Sequence, residues 1–582
     1  MERATSLIQA AAGRAGLDLL IRHVRLVNVL SGEVYPADVG ILAGRIACVE
    51  PPGASPARQA RRVIDGRDRL AVPGLIDAHM HFESSLVTPA QFAAAALVRG
   101  TTAVAADPHE ITNVMGLEGA RLLWQASAGL PLRGYFLVPT CVPAAQGLET
   151  SGGVIGPEEV AEMLGWDRVL GLAEVMDAWA VVGGDSRLRD ILAVGHRRGA
   201  LMEGHNPATR GRDLQAYVAS GIDSDHTIMT PELMREKLRL GVTVQLQERY
   251  LSPEHFALLR HLPADADLLL VTDDVSPDYL VERGHLDQVL RTAIRMGMPP
   301  IEALRSATIK AARRLRLYDQ GAIAPGKRAD LSLLAGDLAD FCPEMVIAGG
   351  EIVVEENKLR WQPPEEKVLQ ATTGSVKLGP VSAADFIITA PVQNGAAGVR
   401  IIDMHRKTTA GGQVLTLPVE AGALVVDAAQ DLNTVAVFER HGRGGGRALG
   451  VVRGLGLQRG AWASTLAHDS HNLLIVGCQA NDMAAAANRI IDLDGGLALA
   501  AGGEVLAELP LPYAGLLSDR PIVEVAAVVR GLKAALRDLG VTDYAHPIIR
   551  ITTLSLPVST GLRLTDLGLV DADRREAVSL FV

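Results

Sequence analysis

Residues 72–81, Val-Pro-Gly-Leu-Ile-Asp-Ala-His-Met-His, form an apolar run ending in two histidines one residue apart. Side chains of a strand alternate between its faces, so His79 and His81 project to one side while Ala78 and Met80 project to the other. Neutral imidazole is a common ligand of borderline transition metals, and such a pair offers one cation two nitrogens. Alone, the pair reads equally well as two hydrogen-bonded histidines. Partners elsewhere decide the matter, and they recur at the ends of later apolar runs: Glu174 in 169–175, His205 after 200–204, His226 after 221–225 and Asp273 after 268–272. Four imidazoles with two carboxylates exceed the needs of one tetrahedral ion, so two bridged divalent ions are the economical arrangement. His79, His81 and Asp273 would serve one ion, His205 and His226 the other, with Glu174 between them. Nitrogen and oxygen ligands without thiolate suit manganese, iron or zinc. Metals lower the pKa of bound water, and Asp273 can take the proton released and pass it on. Glu248, at the end of run 242–247, is a second candidate for proton transfer. Asp107, His109 and Glu110, after run 101–106, read as groups that fix ligand tautomers or touch substrate.

The elements that must position these groups are short β-rich runs alternating with helical segments, the sequence form of a parallel α/β structure. Strands are expected over 101–106, 134–140, 169–175, 200–204, 221–225, 242–247 and 268–272, which with the opening run makes eight. Helices are expected over 90–98, 158–164, 188–198 and 231–240, each with glycine or proline near its end. This is the size and pattern of a TIM (β/α)8 barrel, whose active site lies where the strands end. Flanking β-patterned stretches, 19–42 before the barrel and 321–354 after it, are expected to pair as a composite β-sandwich. The expected organisation is 1–72 for a short helix and the first part of the sandwich, 73–320 for the barrel, 321–367 for the second part and a linker, and 368–582 for an α+β domain.

The chain has 582 residues, 48% hydrophobic, and a formal net charge of -11, which argues against a nucleic-acid or anionic-membrane binder and fits a small neutral or cationic substrate. Its four cysteines are far apart, without a C-x-x-C pair, which points to a reducing cytoplasm. Residues 1–16 lack the apolar core of a signal peptide, and no uncharged apolar run is long enough to cross a bilayer.

The motif over 72–81, with later strand-end histidines and a strand-eight aspartate, resembles the amidohydrolase superfamily of metal-dependent hydrolases. More narrowly, residues 81–85 (HFESS), 106–116 (ADPHEITNVMG), 171–177 (GLAEVMD), 221–226 (GIDSDH), 464–472 (STLAHDSHN) and 509–519 (LPLPYAGLLSD) are similar to the adenine deaminase family of bacteria and archaea. The resemblance implies hydrolysis of adenine to hypoxanthine and ammonia with manganese or iron, and a homo-oligomer, a dimer. Glu174 stands where hydantoinase-like relatives place a modified lysine, which favours the deaminase branch. Two departures stand out. The family continues S-D-H with glutamate, whereas Thr227 follows His226 here, and the usual R-E-G-S is replaced by Gln247, Glu248, Arg249 and Tyr250. These leave room for another aminopurine or a cyclic amidine as substrate, or for a catalytically silent metal-binding homologue.

Beyond 376 the pattern mixes strands with a helix over 522–539. The glycine-rich 441–447 lacks the lysine and hydroxyl of a phosphate loop and reads as a hairpin turn. The cluster His468 to Asn472 reads first as a buried hydrogen-bonded network, with a further metal site or a reach to the barrel mouth as the alternatives. Ser84 and Ser85 read as a helix cap, and His285 as structural.

Overall fold

The computed structural model describes residues 2–54, 59–207, 209–227, 229–259, 266–405, 411–542 and 546–582. After a helix over Glu2–Ala11, strands β1 (Leu17–Asn28), β2 (Glu33–Leu42), β3 (Arg45–Glu50), β4 (Ala60–Asp65) and β5 (Leu70–Pro73) open the first sheet. The barrel comes next: β6 (Leu75–Met80), β7 (Thr101–Ala106), β8 (Arg133–Val138), β9 (Val169–Val175), β10 (Leu201–Gly204), β11 (Ser224–Asp225), β12 (Thr243–Leu246) and β13 (Leu268–Leu270). All seven neighbouring pairs are parallel. A lone parallel bridge between Met80 and Asp273 joins the last strand to the first and closes the cylinder. The expected run 221–225 is paired only at Ser224 and Asp225, because Gly221, at φ +97°, is still turning out of the preceding helix.

The chain then returns to the first sheet with β14 (Leu331–Leu334), β15 (Pro343–Ala348), β16 (Glu351–Glu355) and β17 (Lys358–Leu359). β14 pairs antiparallel with β5, so the two flanks form one nine-stranded sheet. Ile21, Leu26 and Val39 from the first flank meet Leu331, Leu333 and Ile347 from the second in one apolar cluster. Pairing the flanks holds the start and finish of the barrel together.

A third sheet is built from β18 (Gly395–Asp403), β19 (Gly411–Glu420), β20 (Ala423–Leu424), β21 (Leu432–Phe438), β22 (Arg447–Arg453), β23 (Ala461–Ser464), β24 (Leu473–Gly477), β25 (Gly496–Ala501) and β26 (Glu504–Pro510). The glycine-rich stretch over 441–447 joins the antiparallel pair β21 and β22 as a hairpin, as its composition predicts. Helices over Ala480–Asp492 and Ile522–Asp538 pack against this sheet. Among the described residues no helix is long and apolar enough to cross a membrane.

The loop after β8 seats the C-terminal region on the barrel and carries a buried carboxyl, Glu149. Its Oε1 accepts the Ala145 backbone N–H at 2.9 Å, while its Oε2 has no hydrogen-bond partner. Burial pushes the carboxyl up to about 8, above its ordinary value. A raised carboxyl leaves the fold unpenalised below about pH 4.5 and costs stability as pH rises through 8. Glu149→Gln should therefore gain over the parent chain between pH 5 and pH 9, by on the order of 2–4 kcal/mol at the alkaline end. Thermal denaturation across that range checks this, and an unchanged difference between the two chains refutes it.

Candidate metal centre and active-site cavity

Strand alternation delivers His79 and His81 to the barrel mouth, where both rings are buried. His79 Nδ1 faces Glu203 Oε2 at 2.9 Å and its Nε2 faces Glu174 Oε1 at 3.1 Å. A carboxylate on Nδ1 fixes the proton there and leaves the Nε2 lone pair directed at the cluster. His81 does the same through the Asp107 carbonyl, at 3.0 Å from Nδ1, and brings Nε2 to 3.1 Å from Asp273 Oδ1. From the opposite wall, His205 Nδ1 and His226 Nε2 lie 2.6 and 3.3 Å from Glu174 oxygens. Two groups of side chains result, His79, His81, Glu174 and Asp273 in one, Glu174, His205 and His226 in the other, with Glu174 common to both.

The electrostatics of this cluster call for a cation. Burial disfavours a charge on His79, yet Glu174 and Glu203 raise it to about 10. Burial likewise opposes ionisation of Glu174, but His205 and His226 hold its carboxyl well below the usual range. Carboxylates fully withdrawn from water keep their charge only where positive charge meets them. Nitrogen and oxygen donors, preset tautomers and this demand for positive charge fit a divalent metal site.

The cluster lies at the floor of a cavity of about 790 Å³. His109 and Glu110 line it; His109 Nδ1 donates to Asp107 Oδ2 at 3.0 Å, and Glu110 Oε2 has no hydrogen-bond partner. Glu248 is turned elsewhere: its Oε1 accepts Gln288 Nε2 at 2.8 Å and Thr292 Oγ1 at 2.6 Å, and it is not part of the cavity wall. Arg249, beside it, enters the cavity instead and donates to Asp273 Oδ2. Asp273 has the left-handed φ of +59°, a region uncommon for residues other than glycine but one that aspartate enters more readily than most. His285 is fully buried between Thr101 and Thr272, neutral because burial lowers it to about 3, and is not a member of the cluster. Ser85 Oγ donates to the Phe82 carbonyl and Ser84 Oγ to Asp274, so neither serine accepts from a backbone N–H at the start of the short turn over Glu83–Ser85 as a cap would.

The cluster His468 to Asn472 is both a buried network and part of the cavity. His468 and Asp469 line the cavity beside Glu110 and His109, while Asn472 Nδ2 donates to the Thr150 carbonyl at 2.8 Å.

Three residues with positioning contacts lie outside the candidate site residues taken from the sequence. Glu203 holds His79 and is itself held by Gln245 Nε2 at 2.9 Å; its place two residues before His205, on the same strand face, was the available signal. Lys237 lies on a helix, where a lysine reads as solvated, yet it is fully buried. Its Nζ lies 2.9 Å from Asp225 Oδ2 and donates to the Asn206 carbonyl at 2.9 Å, tying together the strand ends that carry His205 and His226. Thr227 Oγ1 completes the knot by donating to Asp225 Oδ1 at 2.6 Å.

The amidohydrolase family model matches residues 70–353, and the model of the adenine deaminase C-terminal domain matches residues 408–576. The adenine deaminase of Cereibacter sphaeroides is 41% identical over 589 aligned positions, covering 99% of this chain and 100% of that one. Adenine deaminase 2 of Carboxydothermus hydrogenoformans is 38% identical, covering 98% of each chain. Among solved structures, an adenosine deaminase from Xanthomonas campestris with bound zinc superposes with a TM-score of 0.45 at 16% identity, over 59% of this chain and 94% of that one.

Removing one partner of a buried ion pair leaves the other charge uncompensated. Lys237→Met should cost about 3–5 kcal/mol and, by releasing the His205 and His226 strand ends, weaken metal binding at the cluster by about 10–100-fold. The denaturation midpoint and a metal titration check the two parts; an unchanged midpoint would show Lys237 to be dispensable.

Proposed function

The chain belongs to the adenine deaminase family, and on that premise we propose that it hydrolyses adenine to hypoxanthine and ammonia. The observation that carries the reading is the convergence of His79, His81, His205, His226 and Asp273 on Glu174 at the floor of a cavity large enough for a purine. His79, His81 and Asp273 would hold one divalent ion and His205 and His226 a second, with Glu174 shared; manganese or iron suits these donors, and zinc is compatible with them. Such ions, when bound, supply hydroxide at neutral pH.

The chain's own groups manage the protons. In the balanced reaction a water oxygen bonds to C6 of the purine, the bond from C6 to the exocyclic nitrogen breaks, and that nitrogen leaves as ammonia. Asp273 is placed to accept the proton given up by water and return it to the leaving amine. Arg249 holds the Oδ2 of Asp273, which keeps the carboxylate turned to the cluster. N1 of the ring needs a proton as C6 becomes tetrahedral, and the group that gives it regains one from the C6 hydroxyl as the amine leaves and the carbonyl forms. Glu248 is committed to Gln288 and Thr292, so we assign N1 to Glu110, whose unpartnered Oε2 belongs to a cavity-lining side chain. Asp107, through His109, steadies the same wall.

Ammonia release from adenine by the manganese-loaded chain, with adenosine, guanine and cytosine as comparisons, tests the reading. Release from adenine alone is expected, and its absence despite a loaded cluster overturns the proposal in favour of another aminopurine or a silent homologue. Glu110→Gln should lower kcat by about 10²–10⁴-fold with metal content intact, whereas Glu248→Gln should stay within about threefold. The reverse pattern would return the N1 proton to Glu248.

A further inference from the structure

The seam between the barrel and the C-terminal region holds a second set of metal-type donors, of which His109 also stands near His81 and Glu174 while the other two lie outside the catalytic cluster. His109 follows β7, Cys141 lies just beyond β8, and Asp469 comes from the loop between β23 and β24. One donor atom from each lies within 4.8 Å of the others, and all three residues are buried. We propose that His109, Cys141 and Asp469 form a separate divalent-metal site, selective for zinc, that joins the C-terminal region to the mouth of the barrel.

The tautomer of His109 is the first argument. Its Nδ1 donates to Asp107 Oδ2 at 3.0 Å, which leaves the Nε2 lone pair free and directed at Asp469, an arrangement typical of carboxylate-oriented metal-binding histidines. The spacing is the second. Nε2 stands 3.8 Å from Asp469 Oδ1, too far for a hydrogen bond. Two ligands about 2.0–2.2 Å from one tetrahedral zinc ion are separated by roughly 3.4 Å, so a shift of a few tenths of an ångström completes the geometry. The third argument is an unmet need: Asp469 is 2% exposed, and its Oδ2 has no hydrogen-bond partner. Buried carboxylate oxygens in that state call for a cation or a donor.

Donor chemistry separates this site from the cluster around Glu174. That cluster has only nitrogen and oxygen donors, whereas Cys141 adds sulfur and is not in a disulfide. Thiolate with imidazole and carboxylate favours zinc over manganese, and the charges of the thiolate and Asp469 together balance a divalent ion. A neighbouring trio lacks the free lone pairs of this one. Glu110, His468 and His471 also converge, but the Ala467 N–H donates to His471 Nδ1 at 3.2 Å, so the neutral ring carries its proton on Nε2 and has no lone pair left for a metal.

Titrating the chelator-treated full-length chain with cobalt(II) tests the proposal. A thiolate-to-cobalt charge-transfer band should develop, and added zinc should abolish it. Cys141→Ser should lose the band and one equivalent of bound metal, and Asp469→Asn should keep the band but weaken cobalt binding there by about tenfold or more. No band in the parent chain, or a band that survives in Cys141→Ser, overturns the proposal. Because the cluster around Glu174 contains no sulfur, its occupancy changes the metal total without producing the band, so failure of the catalytic reading is distinguishable from failure of this one.

Discussion

Asp273 donates its backbone N–H to the His79 carbonyl at 3.1 Å, and the bridge between Met80 and Asp273 built on it closes the eight-stranded cylinder. The closing contact is made at members of the candidate metal cluster themselves. Parallel strands tilt around a barrel, so first and last strand meet only if the intervening six keep their register. Once they meet, Asp273 Oδ1 stands 3.1 Å from His81 Nε2, across 192 positions of sequence. The left-handed φ of Asp273 is accommodated here because β13 has already ended and the bridge to Met80 pins the residue in place. Barrel closure and site assembly are one event. The nine-stranded sheet contributes by pairing β5 with β14, which anchors the chain just before the first barrel strand and just after the last barrel helices.

Bringing so many ionisable groups together out of water is costly unless each is matched. The matching extends beyond the cluster. Glu203 takes the His79 N–H, Gln245 takes Glu203, Lys237 neutralises Asp225, and Arg249 faces Asp273. The two departures from the family pattern acquire meaning here. Thr227 bonds Asp225 and so serves the Lys237 knot, a place where a further carboxylate would upset the charge balance. Arg249 brings a fixed positive charge to the cavity while Glu248 turns to the helix over Leu286–Arg295. Neither change removes a member of the cluster.

The barrel was legible in the sequence because most of its strands are short β-patterned runs followed by a charged residue or histidine, and period-two alternation put His79 and His81 on one face. The candidates His205, His226, Glu174 and Asp273 followed from their places at strand ends. What alternation does not encode is how a side chain leaves a turn. Glu248 and Arg249 are adjacent in a short 3-10 turn over Glu248–Tyr250, and a turn of that pitch sends neighbours in different directions. The sequence pointed to Glu248, and the structure directs Arg249 into the cavity. Lys237 was hidden for a similar reason: its burial depends on a tertiary partner, Asp225, twelve positions earlier, and helical patterning alone treats a lysine as solvated.

The C-terminal region is bound to the site by more than proximity. Its apolar core is continuous with that of the barrel: Phe82, Leu86 and Phe92 belong to the same cluster as Leu516, Leu517, Val525 and Val529. Ser518 donates its N–H to the Leu86 carbonyl at 2.9 Å and accepts the Thr88 N–H at 3.3 Å, so the segment after β26 is stitched to the loop that leaves His81. That loop also carries Glu83, whose Oε1 accepts the Ile111 N–H at 3.1 Å at the start of the helix bearing His109 and Glu110. The chain of contacts therefore runs from the third sheet, through Ser518 and the loop over 82–88, to both sides of the cavity floor. A barrel deprived of these contacts would expose Phe82, Leu86 and Phe92 to water and release the turns that aim His81 and Glu110. The 3.8 Å approach of Asp469 to His109 belongs to the same seam. The third sheet is thus a structural condition of the active-site cavity, which explains why the family-like segments 464–472 and 509–519 of the C-terminal region lie on the face turned toward the barrel.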